Sequence, residues 1–275
     1  MQTREVFLLI DDTWKKFRLK DKELKRQQIQ IAQTAILGEG LHVLPQVTIG
    51  EKALIEKNVI IGKGVYIGDR AIIGYNVKIG FHTKIGQGSV IGNHVQLGNY
   101  VEIEGKCKLS EVVSVCDRAY LQFGVQLGPN VIVSNRANIG SETKVKSDVS
   151  IGADCVIGEA CSIGVFSVIA ACSRIQNQVI IGKHVLIDSY SNIGPGVRIP
   201  SKTRIKANEV IKNPGPNNLI HLEDCGMMED FGDLEDLEDQ AMLIYRYEKA
   251  EAHCDLGAFY LNGNWEKGEK KQHQN

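Results

Sequence analysis

The chain has 275 residues and a mass of 30.4 kDa; 43% of its residues are hydrophobic, 24% are charged and six are proline. This composition excludes intrinsic disorder, because it supplies enough apolar material for a buried core. Aromatic residues make up only 6% whereas glycine contributes 28 residues, which favours a β repeat built from aliphatic side chains and tight turns.

The net charge of −1 conceals three regions. Residues 1–36 carry eight Lys or Arg against five Asp or Glu, residues 37–216 carry 19 against 14, and residues 217–275 carry five against 14. No apolar run approaches the ~18 residues of a membrane span, and the N-terminus lacks the order of a signal peptide. The seven cysteines, an odd number without paired short spacings, are typical of reduced thiols. We expect a cytoplasmic protein without a membrane span.

The N-terminal region, residues 1–36, is predicted to be a helical extension. Residues 13–33 are rich in helix formers, and Asp12 or Thr13 is suited to cap a helix. Apolar residues recur there at close to heptad spacing. They are Trp14, Phe17, Leu24 and Ile31.

From Leu37 the chain repeats every six residues. Position one is aliphatic in thirty consecutive hexads that end at Ile211, position two is glycine in sixteen of them, and position five is small or β-branched almost throughout. Positions five and one lie two apart, so both point inward on a short strand while position six faces outward. Positions two to four must then form a turn, since position four favours Gly, Asn, Asp and His, which tolerate left-handed backbone angles. We expect glycine at position two to serve the same turn.

Three strands and three turns close one triangular coil of 18 residues, so the thirty hexads predict ten coils stacked at about 4.8 Å. Each coil buries its aliphatic side chains only against its neighbours, which makes residues 37–216 one domain. The pattern resembles the hexapeptide-repeat superfamily, whose members form left-handed parallel β-helices that are usually trimeric. The resemblance implies the left hand and a homotrimer; the spacing itself indicates only a parallel β-helix.

Outward positions recur on one face every 18 residues and form two apolar columns. The first holds Leu54, Ile72 and Val90. The second holds Ile132, Ser150, Val168 and Leu186. These columns indicate either contacts between subunits or surfaces covered by the chain's own terminal helices.

After Pro216 the repeat stops, and residues 217–275 are predicted to form an acidic extension with a helix. The acidic stretch from Glu229 to Asp239 is either a solvated face or a docking tail. Five apolar residues that follow or overlap it mark one helical face. They are Leu234, Leu237, Ala241, Ile244 and Tyr245.

The resemblance to the hexapeptide-repeat superfamily also implies a chemistry. Most members transfer an acyl group from coenzyme A or acyl carrier protein to an amine or hydroxyl, often on a sugar nucleotide. The implied function is therefore acyl transfer, with coenzyme A or acetyl-coenzyme A as co-substrate, a small acceptor of sugar type and no permanently bound cofactor. A corner histidine acts as general base in these enzymes, because proton removal at neutral pH calls for a pKa near seven.

The sequence departs from that family pattern in two ways. Its hexads contain no insertion, so no extended loop covers a substrate. Residues 149–158 look like the aliphatic-x-His-Asp-Cys-x-aliphatic-Gly motif of several sugar acyltransferases, but Ala153 stands where the base belongs, although Asp154 and Cys155 match. These departures favour the alternative that the β-helix is a trimeric scaffold or binding module without catalytic activity.

His82, His94 and His184 all occupy position four, where a left-handed turn residue is the simpler interpretation. If one of them is a catalytic base, His82 or His94 is the candidate, because the two are close in height. We expect them to share a cleft with three aromatic residues. These are Tyr75, Phe81 and Tyr100.

No metal site is expected. The zinc of the superfamily's carbonic anhydrases needs three converging histidines, whereas here only His94 and His184 share a face, five coils apart. Cys107, Cys155 and Cys161 fall at the inward position five, which predicts core packing rather than metal binding.

The last coils carry a basic cluster. In many family acyltransferases the phosphates of coenzyme A lie near the end of the prism, so the resemblance makes Arg198, Lys202, Arg204 and Lys206 candidates for cofactor binding. A solvated end, or contact with the acidic tail, is the alternative. Nucleic-acid binding is not expected, because the chain lacks net positive charge and interleaved aromatic residues.

One irregularity lies mid-chain. Four consecutive hexads lack glycine at position two, which either marks a site or reflects ordinary tolerance of polar turn residues. Their position-two residues are Glu104, Ser110, Cys116 and Gln122.

Overall fold

The computed structural model describes residues 5–10, 13–18 and 22–212. The predicted C-terminal helix and the acidic stretch lie outside these residues. The described chain forms a parallel β-solenoid of about ten coils preceded by a short hairpin and one helical turn. The predicted parallel β-helix is therefore confirmed.

The N-terminal segment is a hairpin, and the prediction of a helix over residues 13–33 is wrong. Strand β1 (Glu5–Ile10) pairs antiparallel with β2 (Thr13–Arg18), and the only helix described there, α1 (Lys22–Arg26), has five residues. Strand β1 also pairs in parallel with a strand of the first coil, at Leu8↔Val43. This pairing to a distant strand overrides the local helix propensity.

Thirty-one strands of two residues each, β3 to β33, follow in chain order. They build three parallel sheets, which we name faces A, B and C. Face A contains His42–Val43, Ile60–Ile61, Lys78–Ile79, Gln96–Leu97, Ser114–Val115, Ile132–Val133, Ser150–Ile151, Val168–Ile169, Leu186–Ile187 and Arg204–Ile205. Face B contains Gln30–Ile31, Thr48–Ile49, Tyr66–Ile67, Lys84–Ile85, Glu102–Ile103, Tyr120–Leu121, Asn138–Ile139, Val156–Ile157, Arg174–Ile175, Asn192–Ile193 and Val210–Ile211. Face C contains Ile36–Leu37, Leu54–Ile55, Ile72–Ile73, Val90–Ile91, Lys108–Leu109, Gln126–Leu127, Lys144–Val145, Ser162–Ile163, Ile180–Ile181 and Arg198–Ile199.

The register of the sheets follows the 18-residue coil. Each strand pairs with the equivalent strand one coil away, as in Ile72↔Val90. The first coil strand is Gln30–Ile31, so the solenoid begins one hexad before Leu37. Position-one side chains fill the core, and the two predicted apolar columns lie as expected on faces C and A. The N-terminal segment leaves the face C column uncovered, since Ile72 is 39% exposed.

The turns confirm the interpretation of position four and correct that of position two. Every position-four residue from Gly40 to Asn208 has a φ between 53° and 72°. Position-two glycines are absent from this left-handed set. Instead, a Cβ placed on Gly92 would lie 2.6 Å from the carbonyl carbon of Ser110 in the next coil. Glycine at position two therefore permits close stacking of coils rather than an unusual turn.

Where position five is Thr, Ser or Cys, its side chain links neighbouring coils through hydrogen bonds. The buried Thr83 hydroxyl donates to the carbonyl of Gly98 at 2.7 Å and accepts from the amide of Val101 at 3.2 Å. These are the position-two carbonyl and the position-five amide of the next coil. The buried hydroxyl thus satisfies two backbone groups that the turn leaves unpaired.

The inward cysteines make the same contact, and their predicted core packing is confirmed. The thiol of Cys107 donates to the carbonyl of Gln122 at 3.1 Å, and that of Cys155 to Ala170 at 3.0 Å. Burial raises the pKa of Cys107 to about 11 and that of Cys155 to about 12. Both are free thiols.

Candidate functional site

The candidate histidines lie at the corners of the triangular solenoid, where two of its faces meet. We name them after the faces they join in chain order: corner AB, corner BC and corner CA. His82 lies at corner AB, and His94 and His184 lie at corner CA. The two candidate bases therefore flank opposite edges of face A, and the structure does not bring them into the single cleft that we expected.

His82 is an exposed left-handed turn residue that stacks on an aromatic ring of the next coil. Its imidazole lies 5.2 Å from the ring of Tyr100, at an interplanar angle of 17°. Its backbone amide donates to the carbonyl of Lys63 at 2.8 Å. Its imidazole forms no hydrogen bond with another described residue.

His94 is equally exposed but has different neighbours. Its imidazole meets the ring of Tyr75 edge to face, with centroids 5.0 Å apart and an angle of 80°. Val90 is the last apolar residue of the face C column, and His94 follows it by four residues in the chain. His94 therefore lies at the corner that borders this column. Its imidazole likewise has no hydrogen-bond partner among the residues described. His184, farther along the same corner, stacks on Phe166 at 5.1 Å.

The residues that resemble the acyltransferase motif have structural roles here. Asp154, at corner AB, accepts two hydrogen bonds of 2.6 Å from the guanidinium of Arg136 one coil below. The hydrogen bonds from Arg136 lower the pKa of Asp154. Cys155 is buried and inert as a nucleophile, since the thiolate is the reactive form. Ala153 supplies no proton acceptor in place of the histidine.

The basic candidates surround the last coil without forming one pocket. Arg198 lies on face C, Lys202 at corner CA, Arg204 on face A and Lys206 at corner AB, and all four are exposed. The guanidinium of Arg204 already pairs with Asp188 at 2.9 Å. The structure therefore leaves Arg198, Lys202 and Lys206 as the available cations of this set.

A polar cluster lies at corner BC, and the sequence indicated only some of its members. Glu104 and Gln122, two of the position-two residues that replace glycine, lie there one above the other. The hydroxyl of Tyr120 donates to Oε1 of Glu104, and this hydrogen bond raises the pKa of Tyr120 to about 12. The amide of Gln122 donates to Asn138 Oδ1 and accepts from the hydroxyl of Ser141, both at 3.3 Å.

Neither a metal site nor a membrane span is found in the described chain. Within the described ranges, no three His, Cys, Asp or Glu side chains are grouped so that they could hold a metal ion. Among the residues described, no helix meets the length and hydrophobicity that a transmembrane span requires.

Comparisons with known proteins gave one family model and a set of solved structures. A family model described as the GMPPB C-terminal domain matches residues 27–126. The chain folds as a parallel β-solenoid of hexapeptide repeats. Three features define this fold: the uninterrupted hexads, the left-handed position-four residues and the 18-residue register.

Two solved structures illustrate the likeness. UDP-N-acetylglucosamine O-acyltransferase from Moraxella catarrhalis is 21% identical, over 62% of this chain and 70% of that one, with a TM-score of 0.35. The acetyltransferase domain of PglB from Neisseria gonorrhoeae, in complex with acetyl coenzyme A, is 17% identical over 52% of both chains, with a TM-score of 0.30. The curated proteins include no match to this sequence.

The hexapeptide-repeat solenoid leaves little enclosed space of its own. The strands from Gln30–Ile31 to Val210–Ile211 follow one another every six residues without interruption, so no inserted loop folds over a face in this range. A substrate site on such a prism needs a second surface opposite a corner. The arrangement can thus perform proton transfer at an exposed imidazole only where a neighbouring prism supplies the other wall.

Proposed function

We propose that this protein is an acyltransferase that moves an acyl group, acetyl in the simplest case, from coenzyme A to an amine or hydroxyl of a small acceptor of sugar type. The observation that carries the proposal is the placement of His94. Its exposed imidazole lies at corner CA, against Tyr75 and beside the end of the apolar column on face C. The superfamily resemblance supplies the reaction class.

A homotrimer is part of this proposal. Packing of prisms through the face C column would bury Ile36 and Ile72, which are 46% and 39% exposed in the single chain. It would also place the next prism opposite corner CA, where His94 lies. His82, at corner AB, does not border this column, so we favour His94 over His82 as the base.

In the proposed reaction, His94 accepts the proton of the acceptor hydroxyl or amine as that group attacks the thioester carbonyl. The C–S bond then breaks, and the imidazolium returns the proton to the departing thiolate. Arg198, Lys202 and Lys206 are proposed to attract the phosphates of coenzyme A by charge. Such a reaction would take place in the cytoplasm, where coenzyme A thioesters are available.

The first test is calorimetric titration with coenzyme A and acetyl-coenzyme A, followed by an acceptor screen. The decisive variant is His94→Asn, because asparagine tolerates the left-handed backbone at this position. We expect it to lose about 100-fold in acyl transfer, whereas the matched His82→Asn retains activity. Full transfer by His94→Asn would refute the assigned base.

A second candidate function rests on a different observation. The described coils contain no inserted loop, and Ala153 removes the histidine of the acyltransferase motif. Both features suit a trimeric scaffold or binding module. Absence of binding at millimolar coenzyme A would favour this function, while a trimer mass in light scattering is expected for both.

A further inference from the structure

The two ends of the solenoid differ in what covers them. At the N-terminal end, α1 and the β1–β2 hairpin pack onto the first coil, and Leu24 of α1 is only 4% exposed in the core. At the C-terminal end, the three sheets finish at Arg198–Ile199, Arg204–Ile205 and Val210–Ile211. Each of these strands pairs on one side only among the described residues. Stacked repeats need a cap at both ends, because an uncovered strand edge invites pairing with other chains.

The C-terminal end also carries positive charge without balancing acids. Five basic residues lie on or next to the last coil, and Glu209 is its one acid. Arg204 pairs with Asp188, but the side chains of the other four basic residues form no ion pair with a described residue. These four are Arg198, Lys202, Lys206 and Lys212.

An exposed apolar side chain lies next to these charges. Val210, on the last strand of face B, is 57% exposed. A hollow of about 220 Å³ beside it is open to solvent. Its lining combines backbone, amide and aliphatic groups from the last three coils. The residues are Gln176, Asn192, Gly194, Pro195, Val210, Ile211 and Lys212.

We propose that the chain's own C-terminal segment, residues 217–275, docks on this end and caps the solenoid, with its acidic stretch against the basic residues. The segment carries 14 acidic against five basic residues, and seven of the eleven residues from Glu229 to Asp239 are acidic. Continuity of the chain favours this occupant over any other. The last described residue, Lys212, is itself on that end, and the acidic stretch starts 17 residues later.

Short tethering gives the segment an effective concentration in the millimolar range at this surface, so weak individual ion pairs suffice for occupancy. The interaction is between exposed charges, and salt therefore weakens it. The docked segment would shield the three strand edges and occupy the same cations that we propose for coenzyme A. The inference stands independently of acyl transfer, because it concerns the chain's own segment.

Zero-length carbodiimide cross-linking of the full-length protein tests the contact directly. At low salt we expect Lys202, Lys206 and Lys212 to cross-link to acids between Glu229 and Asp239. An equal mixture of isotope-labelled and unlabelled protein shows whether the two partners belong to one chain. Cross-links that are mostly between labelled and unlabelled chains, or that join the acidic stretch to lysines elsewhere, would overturn the proposal.

Amide hydrogen exchange of the last strands provides the matched comparison. In the full chain, the variant K202E/K206E/K212E should speed exchange at Arg204–Ile205 and Val210–Ile211 about tenfold. Neutralisation of the acidic stretch by E235Q/D236N/E238Q/D239N should have the same effect. The control variant K108E/K144E/K146E, which reverses three exposed lysines in the middle of the solenoid, should leave it unchanged. Central coils report whether each variant is folded. Equal exchange in all variants whose central coils are intact would refute docking.

Discussion

Two groups of turns in this solenoid allow neighbouring coils to stack closely, one with glycine at position two and one without it. From Gly62 to Gly98, seven successive hexads have glycine at position two, whereas from Glu104 to Gln122 four hexads have none. The backbone ladder is nevertheless continuous through both. The amide of Gly92 donates to Leu109 at 2.8 Å, and the amide of Ser110, one coil higher at the same corner, donates to Leu127 at 2.9 Å.

The difference lies in what the corner presents to solvent. At position two, a glycine turn exposes backbone alone, whereas a turn without glycine can carry a side chain that contacts the next coil, as Glu104 and Gln122 do at corner BC. Glycine at position two is therefore a local requirement of close stacking and not of the solenoid as a whole. Recognition and chemistry on this fold are confined to positions where that requirement is relaxed or where position four or six faces outward.

The largest effect is expected from adding a methyl group to a glycine corner. In Gly92→Ala, the Cβ would lie 2.6 Å from the carbonyl carbon of Ser110, so the coils must separate. We expect a loss of about 3 kcal/mol in the free energy of unfolding. Urea denaturation followed by circular dichroism measures it.

The matched control is Ser110→Ala, at the same corner one coil higher, which should cost less than about 0.5 kcal/mol. Similar losses for the two variants would show that glycine is not what distinguishes the two sets of corners.

A smaller effect is expected from the buried hydroxyl below a glycine corner. Thr83→Val keeps the shape of the side chain but leaves the carbonyl of Gly98 and the amide of Val101 without the hydroxyl. Leaving buried backbone groups unpaired should cost about 2 kcal/mol, measured by the same denaturation. Thr48→Val on the outward side of face B is the control, and a loss of similar size there would contradict the assigned role of the hydroxyl.

The sequence predicted the hexad positions well because they are local and periodic, and it failed where contacts are not local. The hairpin of residues 5–18 depends on pairing with Val43, which local helix propensity could not reveal. His82 and His94 were expected to share a cleft, but 12 residues are two thirds of a coil and necessarily separate them by a corner. Residues share a corner only where their spacing is close to a multiple of 18, as it is for Tyr75 and His94.

The corner BC cluster shows which signal was missed. Side chains at position two contact position six of the next coil, 16 residues later. This spacing recurs in the pairs Glu104–Tyr120, Gln122–Asn138, Gln176–Asn192 and Asp188–Arg204. Reading the sequence at a spacing of 16 as well as 18 would have found these pairs, because both periods follow from the geometry of the coil.

The corners without glycine should show a pH dependence of their own. There the position-five partner of the Gln122 carbonyl is the thiol of Cys107, whose pKa burial raises from 9.0 to about 11. The thiol ionises first in the unfolded chain, so its stabilising contribution is complete below pH 9 and is lost as the pH rises toward 11.

Between pH 8 and pH 10 the protein should lose about 1 kcal/mol more stability than the variant Cys107→Ser, which keeps a donor but does not titrate there. Denaturant midpoints at the two pH values measure the difference. Parallel pH profiles for the two proteins would mean that the thiol is not held protonated by burial.

The smallest effect is a gain in stability at the same set of corners. Val112 occupies position four of the hexad that contains Ser110 and has a φ of 58°, a conformation that is unfavourable for a β-branched residue. Val112→Gly removes this cost and, although glycine adds flexibility to the unfolded chain, should stabilise the protein by about 1 kcal/mol. Gly88, already glycine at position four with a φ of 67°, is the reciprocal control, since Gly88→Val should destabilise by a similar amount. If Val112→Gly brings no gain, the exposed valine contributes contacts that offset its backbone strain, and corner CA next to His94 is then a packed surface rather than a bare turn.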